Sequence, residues 1–170
     1  MPGVLGIAGW SGSGKTTLIE GLLPLLAGRG LAVSTVKHAH HGFDIDRPGK
    51  DSHRHRAAGA REVMVISGTR WALLHEVRDE AEPVLEELLG RLAPADLVLV
   101  EGFKSHPIPK LEVHRPSLGR APLWPVDPMI LAVASDAALP GCPVAVLPLG
   151  DLRQIGDWVA DFMRWRLAHA

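Results

Sequence analysis

Gly9-Trp10-Ser11-Gly12-Ser13-Gly14-Lys15-Thr16 is an unbroken G-x-x-x-x-G-K-T run, with Thr17 directly after it. Residues of these types at this spacing wrap a chain of phosphates. The glycines let the backbone turn its N–H groups onto phosphate oxygens, and a helix starting at the loop's end adds partial positive charge. Lys15 is placed to reach β- and γ-phosphates, and the Thr16 hydroxyl to ligate Mg²⁺. The expected nucleotide contacts are Gly9, Ser11, Gly12, Ser13, Gly14, Lys15, Thr16 and Thr17, with Thr16 also on the metal.

Other chemistry-bearing groups stand at the ends of apolar runs. Leu97-Val98-Leu99-Val100 ends in Glu101-Gly102. An acid at the carboxyl end of a central strand beside a phosphate loop is where a nucleotide's Mg²⁺ is held, so Glu101 is the second expected metal contact, directly or through water. The segment Lys37 to Asp46 and the polar run Lys50 to Arg56 follow the second strand. In phosphate-loop proteins this region senses the γ-phosphate and the metal, which makes Lys37, Asp44 and Asp51 candidates. His38, His40 and His41 invite a zinc or nickel reading, but their spacing matches no common closed site and Cys142 is the lone cysteine. Asp136 follows the run Ile130–Ala134. Its carboxylate could accept from guanine N1–H and the exocyclic amine; a strand-end turn or a helix cap is the alternative.

These residues need a scaffold, and the pattern supplies one. Apolar runs alternate with helical ones, as in an α/β protein with a largely parallel sheet. Strands are expected at Val4–Ala8, Leu31–Val36, Glu62–Ile66, Trp71–His75, Leu97–Val100, Ile130–Ala134 and Val144–Leu147. Helices are expected at Lys15–Ala27, with a kink at Pro24, and at Asp51–Ala58, Ala81–Leu92 and Leu152–Leu167. The third helix would bury Val84, Leu85, Leu88, Leu89 and Leu92, the last Ile155, Trp158, Val159, Phe162 and Met163. Gly68-Thr69 suits a two-residue hairpin turn, so one antiparallel pair is expected within the sheet. From Lys104 to Pro128 the chain carries six prolines, which predicts an extended excursion with one short strand at Leu111–His114.

The bulk composition narrows the class. With 170 residues the chain is read as a single phosphate-loop nucleotide-binding domain, 1–170. A formal net charge of −1 gives no basic excess that would point to nucleic acid or an anionic membrane. No apolar run approaches the ~18 residues of a spanning helix, and no secretory leader is apparent, so a cytoplasmic address is expected.

Several segments together resemble the molybdopterin-guanine dinucleotide biosynthesis protein B (MobB) family. They are the phosphate loop, Val36 to Asp46, Pro48 to Ser52, Ala58-Gly59-Ala60, Val100 to Lys104, and Pro109 to Val113. The resemblance implies a phosphate-loop NTPase three-layer sandwich, mostly parallel with one antiparallel hairpin. It implies a cytoplasmic, homodimeric adaptor that binds GTP and Mg²⁺, is at most a weak GTPase, and assists the molybdopterin guanylyltransferase, with molybdopterin as a further ligand. Lys104 and Lys110 would add positive charge for a phosphorylated pterin or for that partner. One departure stands out: related dimeric NTPases often carry a lysine where this chain has Trp10, so charge donation by that route is missing. A small-molecule or nucleoside kinase, with Arg47, Arg54 and Arg56 over the phosphates, and a metallochaperone GTPase are the competing readings.

Overall fold

The computed structural model describes residues 2–39 and 42–168. In chain order the elements are β1 (Gly3–Ala8), α1 (Lys15–Ala27), β2 (Val33–Lys37), α2 (Asp51–Ala57), β3 (Glu62–Ile66), β4 (Trp71–His75), α3 (Leu85–Leu89), β5 (Leu97–Glu101), β6 (Lys110–His114), β7 (Ile130–Ser135), β8 (Ala145–Pro148) and α4 (Leu152–Ala168). Contacts divide the chain into two compact units, Met1–His38 with Leu92–Ala170, and Ala39–Arg91.

The first unit is built on a six-stranded sheet in the order β2-β5-β1-β6-β7-β8, every adjacent pair parallel. All the strands therefore end at one rim. One face of the sheet carries Leu5, Ile7, Leu97, Leu99, Leu111, Val113, Ala132 and Ala134, which form the core with Leu18, Ile19, Leu22 and Leu26 of α1 and Ile155, Val159, Phe162 and Met163 of α4. The period-2 register of the strands and the helical spacing of the two stripes make this single apolar layer. Trp158 packs at its edge and stacks on Phe162, ring centroids 6.0 Å apart. α1 runs from Lys15 through Pro24 to Ala27; Pro24 is exposed, so the Glu20 carbonyl it leaves without an intrahelical donor can meet water.

β6 is the short strand expected at Leu111–His114, one residue longer, but its place was not foreseen: it lies between β1 and β7, and all five of its residues are buried. Pro109 stands just before the strand, where only its carbonyl is needed, and accepts from Gly6 N at 2.8 Å. Pro116 opens a short 3₁₀ turn just after it. Neither proline removes a donor from the ladder, so the rule that bars proline from central strands is satisfied.

The second unit contains α2, α3 and the hairpin β3–β4. The hairpin forms its own two-stranded sheet and is not part of the larger one. Its turn is Gly68-Thr69 as expected, but Gly68 does not adopt positive φ. Instead the Ser67 hydroxyl accepts from the N–H groups of Thr69 and Arg70, at 3.4 and 3.2 Å. α3 covers five residues where twelve were expected, and of its predicted stripe only Leu85 is buried. Pro83 bars the helix from starting earlier, because the residue before a proline is pushed out of the helical region, and Gly90 closes it.

Candidate functional site

Five adjacent strands, in the order β2-β5-β1-β6-β7, deliver one feature each to the rim. These are Lys37 at the end of β2, Glu101 at the end of β5, the loop after β1, Arg115 just after β6, and Asp136 just after β7. The sheet winds outward both ways from β1, so the loop sits at the switch point where doubly wound sheets hold ligands.

The loop itself is built for an anion. Gly9, Gly12 and Gly14 have φ of 139°, 80° and 99°, which side chains with a Cβ resist. At Gly9 space adds to that: a Cβ there would come 2.5 Å from the Val113 carbonyl. α1 follows Gly14, which offers no side chain to cap it, and has no acid in its first turn, so its first N–H groups are left for a ligand. The Ser13 hydroxyl is buried without a hydrogen-bond partner among the described residues. An orphaned buried donor beside uncapped N–H groups fits a phosphate.

Charged groups surround this cradle. Lys15 Nζ folds back onto the Trp10 carbonyl at 3.0 Å. Burial pushes the Lys15 ammonium below its ordinary range; Glu101 opposes that, while Lys104 and Lys37 add to it. The Thr16 hydroxyl donates to Glu101, 3.1 and 3.3 Å from its two oxygens, and Lys37 lies 3.5 Å from the same carboxylate. A hydroxyl and a carboxylate brought together from elements 85 residues apart are hard oxygen donors of the kind Mg²⁺ takes. Gly102 makes the approach of β5 to β2 feasible: its φ is 98°, and a Cβ would meet that of His38 at 2.8 Å. Phe103 follows with φ 49° and stands 4.8 Å from the His38 ring.

Trp10 turns out not to leave its position without charge. Lys104 Nζ lies 4.6 Å from the indole centroid and the Arg120 guanidinium 5.7 Å, while the indole N–H donates to the Ala121 carbonyl at 2.7 Å. The segment carrying Arg120 and Ala121 is tethered nearby by Glu112, a fully buried carboxylate that accepts from Leu123 and Trp124 N–H at 2.9 and 3.0 Å. Burial pushes the Glu112 carboxyl up, against those two N–H groups.

Other expectations change. Lys110 is not a surface charge: it is buried, with Nζ on the His106 carbonyl at 2.7 Å and on Asp127 at 2.9 Å. Asp44 is engaged by Arg56 at 2.8 Å, which holds its carboxyl below the usual range, so it is not a free phosphate or metal contact. Arg56 also binds Glu76, which removes it as a mobile arginine for a kinase lid. Asp51 sits in the first turn of α2, exposed, 3.7 Å from Arg54. Among the described residues no group of three His, Cys, Asp or Glu could hold a metal; His40 and His41 lie outside them. Asp136, marked for guanine by the sequence, has one oxygen 2.9 Å from Arg115 Nη1. Arg115 was missed, although a charged residue directly after a central strand would have pointed to it.

The family model described as molybdopterin guanine dinucleotide synthesis protein B matches residues 4–136. This chain belongs to the MobB family. It is 43% identical over 164 residues to the molybdopterin-guanine dinucleotide biosynthesis adapter protein of Escherichia coli (strain K12), covering 95% of this chain and 93% of that one. The Haemophilus influenzae adapter protein is 40% identical, with 94% and 89% covered. A crystal structure of molybdopterin-guanine biosynthesis protein B superimposes with a TM-score of 0.74 at 28% identity, covering 94% of this chain and 99% of that one. The MobB homologue from Bacillus stearothermophilus gives 0.68 at 27%, covering 95% and 97%. The MobB matches carry the phosphate-loop NTPase fold, and none of these relatives favours a kinase or a metallochaperone.

Proposed function

We propose that this chain is an adapter in molybdopterin-guanine dinucleotide biosynthesis that binds GTP with Mg²⁺ and assists the guanylyltransferase joining GMP to molybdopterin. The observation that carries the nucleotide part is the uncapped α1 N-terminus beside the orphaned Ser13 hydroxyl, next to the Thr16–Glu101 pair. N–H groups of the loop Gly9–Thr17 would hold the phosphates, Lys15 their terminal charge, and Thr16 with Glu101 the metal, with Lys37 contributing from the end of β2. Mg²⁺ would neutralise phosphate charge there. Hydrolysis would be slow, because no glutamine among the described residues stands at the rim to position water; the one glutamine, Gln154, lies in α4. The setting is cytoplasmic; no described helix is long and apolar enough to cross a membrane.

The partner, and a phosphate-bearing pterin, would meet Lys104 and Arg120, which flank Trp10 and have no carboxylate partner among the described residues. Charge reversal at both, Lys104→Glu with Arg120→Glu, is expected to weaken capture of the guanylyltransferase about 10-fold or more, since like charges across an interface repel. GTP affinity should stay within a few-fold. Undiminished capture and transferase stimulation would move the interface to another face.

A homodimer is proposed from the hairpin. Met64, Ile66, Trp71 and Leu73 share one face of β3–β4 in two directly opposed pairs, and all are exposed. A two-stranded sheet with an open apolar face is marginal on its own. Ile66→Lys with Trp71→Lys should turn a dimer into a monomer by light scattering; a monomeric parent protein would refute the dimer.

A further inference from the structure

Arg115 connects two parts of the rim that the sequence treats separately. Its Nε donates to the Ser13 carbonyl at 2.9 Å, and its Nη1 donates to Asp136 at 2.9 Å. The guanidinium lies over Gly14, whose missing Cβ would come 3.6 Å from Nη2. In a planar trans peptide the carbonyl and the next N–H point opposite ways. By holding the Ser13 carbonyl, Arg115 therefore sets the direction of the Gly14 N–H, one of the donors a phosphate would meet. The planar fork of arginine lets one side chain bind both partners at fixed angles, which a lysine cannot do.

We propose that Arg115, oriented by Asp136, is a positioning residue for the phosphate loop, and that Asp136 acts on a bound nucleotide through Arg115 rather than by reading the base. The proposal rests on the nucleotide reading above. It links the rim beyond β7 to the conformation of the loop beyond β1, so a change at Asp136 reaches the phosphates regardless of which base they carry.

Calorimetric titration with magnesium GTP, and with magnesium tripolyphosphate, which has no base, separates the possibilities. Binding by the parent protein, lost in Lys15→Ala, first establishes the nucleotide reading; a parent protein that binds neither ligand overturns that reading and this inference together. Arg115→Ala should lower both affinities on the order of 10-fold, the usual scale for losing a charge-assisted hydrogen bond. Asp136→Asn should lower both by a smaller, similar factor, and the double variant should bind no more weakly than Arg115→Ala alone, as expected for two residues acting as one unit. Arg115→Lys keeps the charge and loses the fork, so it should recover only part of the affinity and no longer respond to Asp136→Asn. These arms stand even where Arg115→Ala fails to fold. Loss of GTP binding in Asp136→Asn with tripolyphosphate binding unchanged would make Asp136 a base reader and overturn the proposal, as would unchanged affinities in folded Arg115→Lys and Arg115→Ala.

Discussion

Lys15→Ala is expected to cut affinity for magnesium GTP at least ~10-fold without unfolding the protein, because a charge-assisted contact of this kind contributes about 1.5–3 kcal/mol. Two features make the loss selective. The Lys15 ammonium bonds the Trp10 carbonyl within its own loop, so its removal frees an acceptor at the rim and not in the apolar core. Burial and the neighbouring Lys37 and Lys104 also destabilise its charge in the free protein, and a phosphate would relieve that. The sign of the pH effect follows. With its pKa lowered on folding, Lys15 makes the free protein more stable as pH rises from that lowered value toward the unfolded one, while phosphate affinity declines over the same window. Calorimetry with the variant, checked for folding by circular dichroism, decides it. Unchanged affinity in a folded Lys15→Ala protein would remove the phosphate loop from function.

The largest stability effect should come from a residue far less conspicuous in the sequence. Asp127→Ala leaves the buried Lys110 ammonium with only the His106 carbonyl, and also takes the acceptor from Met129 N–H. Breaking a buried ion pair by deleting one partner costs roughly 3–5 kcal/mol, because an uncompensated charge stays in the interior. For a chain of this size that corresponds to a fall in Tm of roughly 10 °C or more. Lys110→Met should be milder, since it removes the buried charge itself and strands only a partly exposed carboxylate. Adding Lys110→Met to Asp127→Ala should restore much of the lost stability. Thermal melts that leave Asp127→Ala at the parent Tm would show the pair to be dispensable.

How much of this was readable beforehand depended on how far apart the interacting residues lie. The loop Gly9–Thr16 is a contiguous run whose conformation follows from glycine backbone freedom, so its type was evident from spacing alone. The strands β1, β3, β4 and β5 and the stripe of α4 were equally local, because the near-continuous apolar runs of β1 and β5, the turn between β3 and β4, and the helical spacing of the α4 stripe are all written along short segments. The position of Glu101 at the end of β5, next to the loop, was legible as well, since a buried apolar run that ends in an acid marks the carboxyl end of a central strand.

Strand order was not legible. β6 read as a short strand within a proline-rich excursion, with nothing to say which strands flank it, and only its insertion between β1 and β7 turned Lys110 from a surface charge into a buried partner of Asp127. That same insertion brought Arg115 to the Ser13 carbonyl, 102 residues away, and to Asp136. It brought Arg120, which with Lys104 flanks Trp10, to the position where a loop lysine was missing. The physical reason is that local sequence determines which backbone angles and which faces are favourable over a few residues. Which strand lies beside which is settled only by the sum of burial and hydrogen bonding over the whole sheet. The identity of the phosphate cradle was thus a property of eight consecutive residues; the charges that surround it were a property of the assembled sheet.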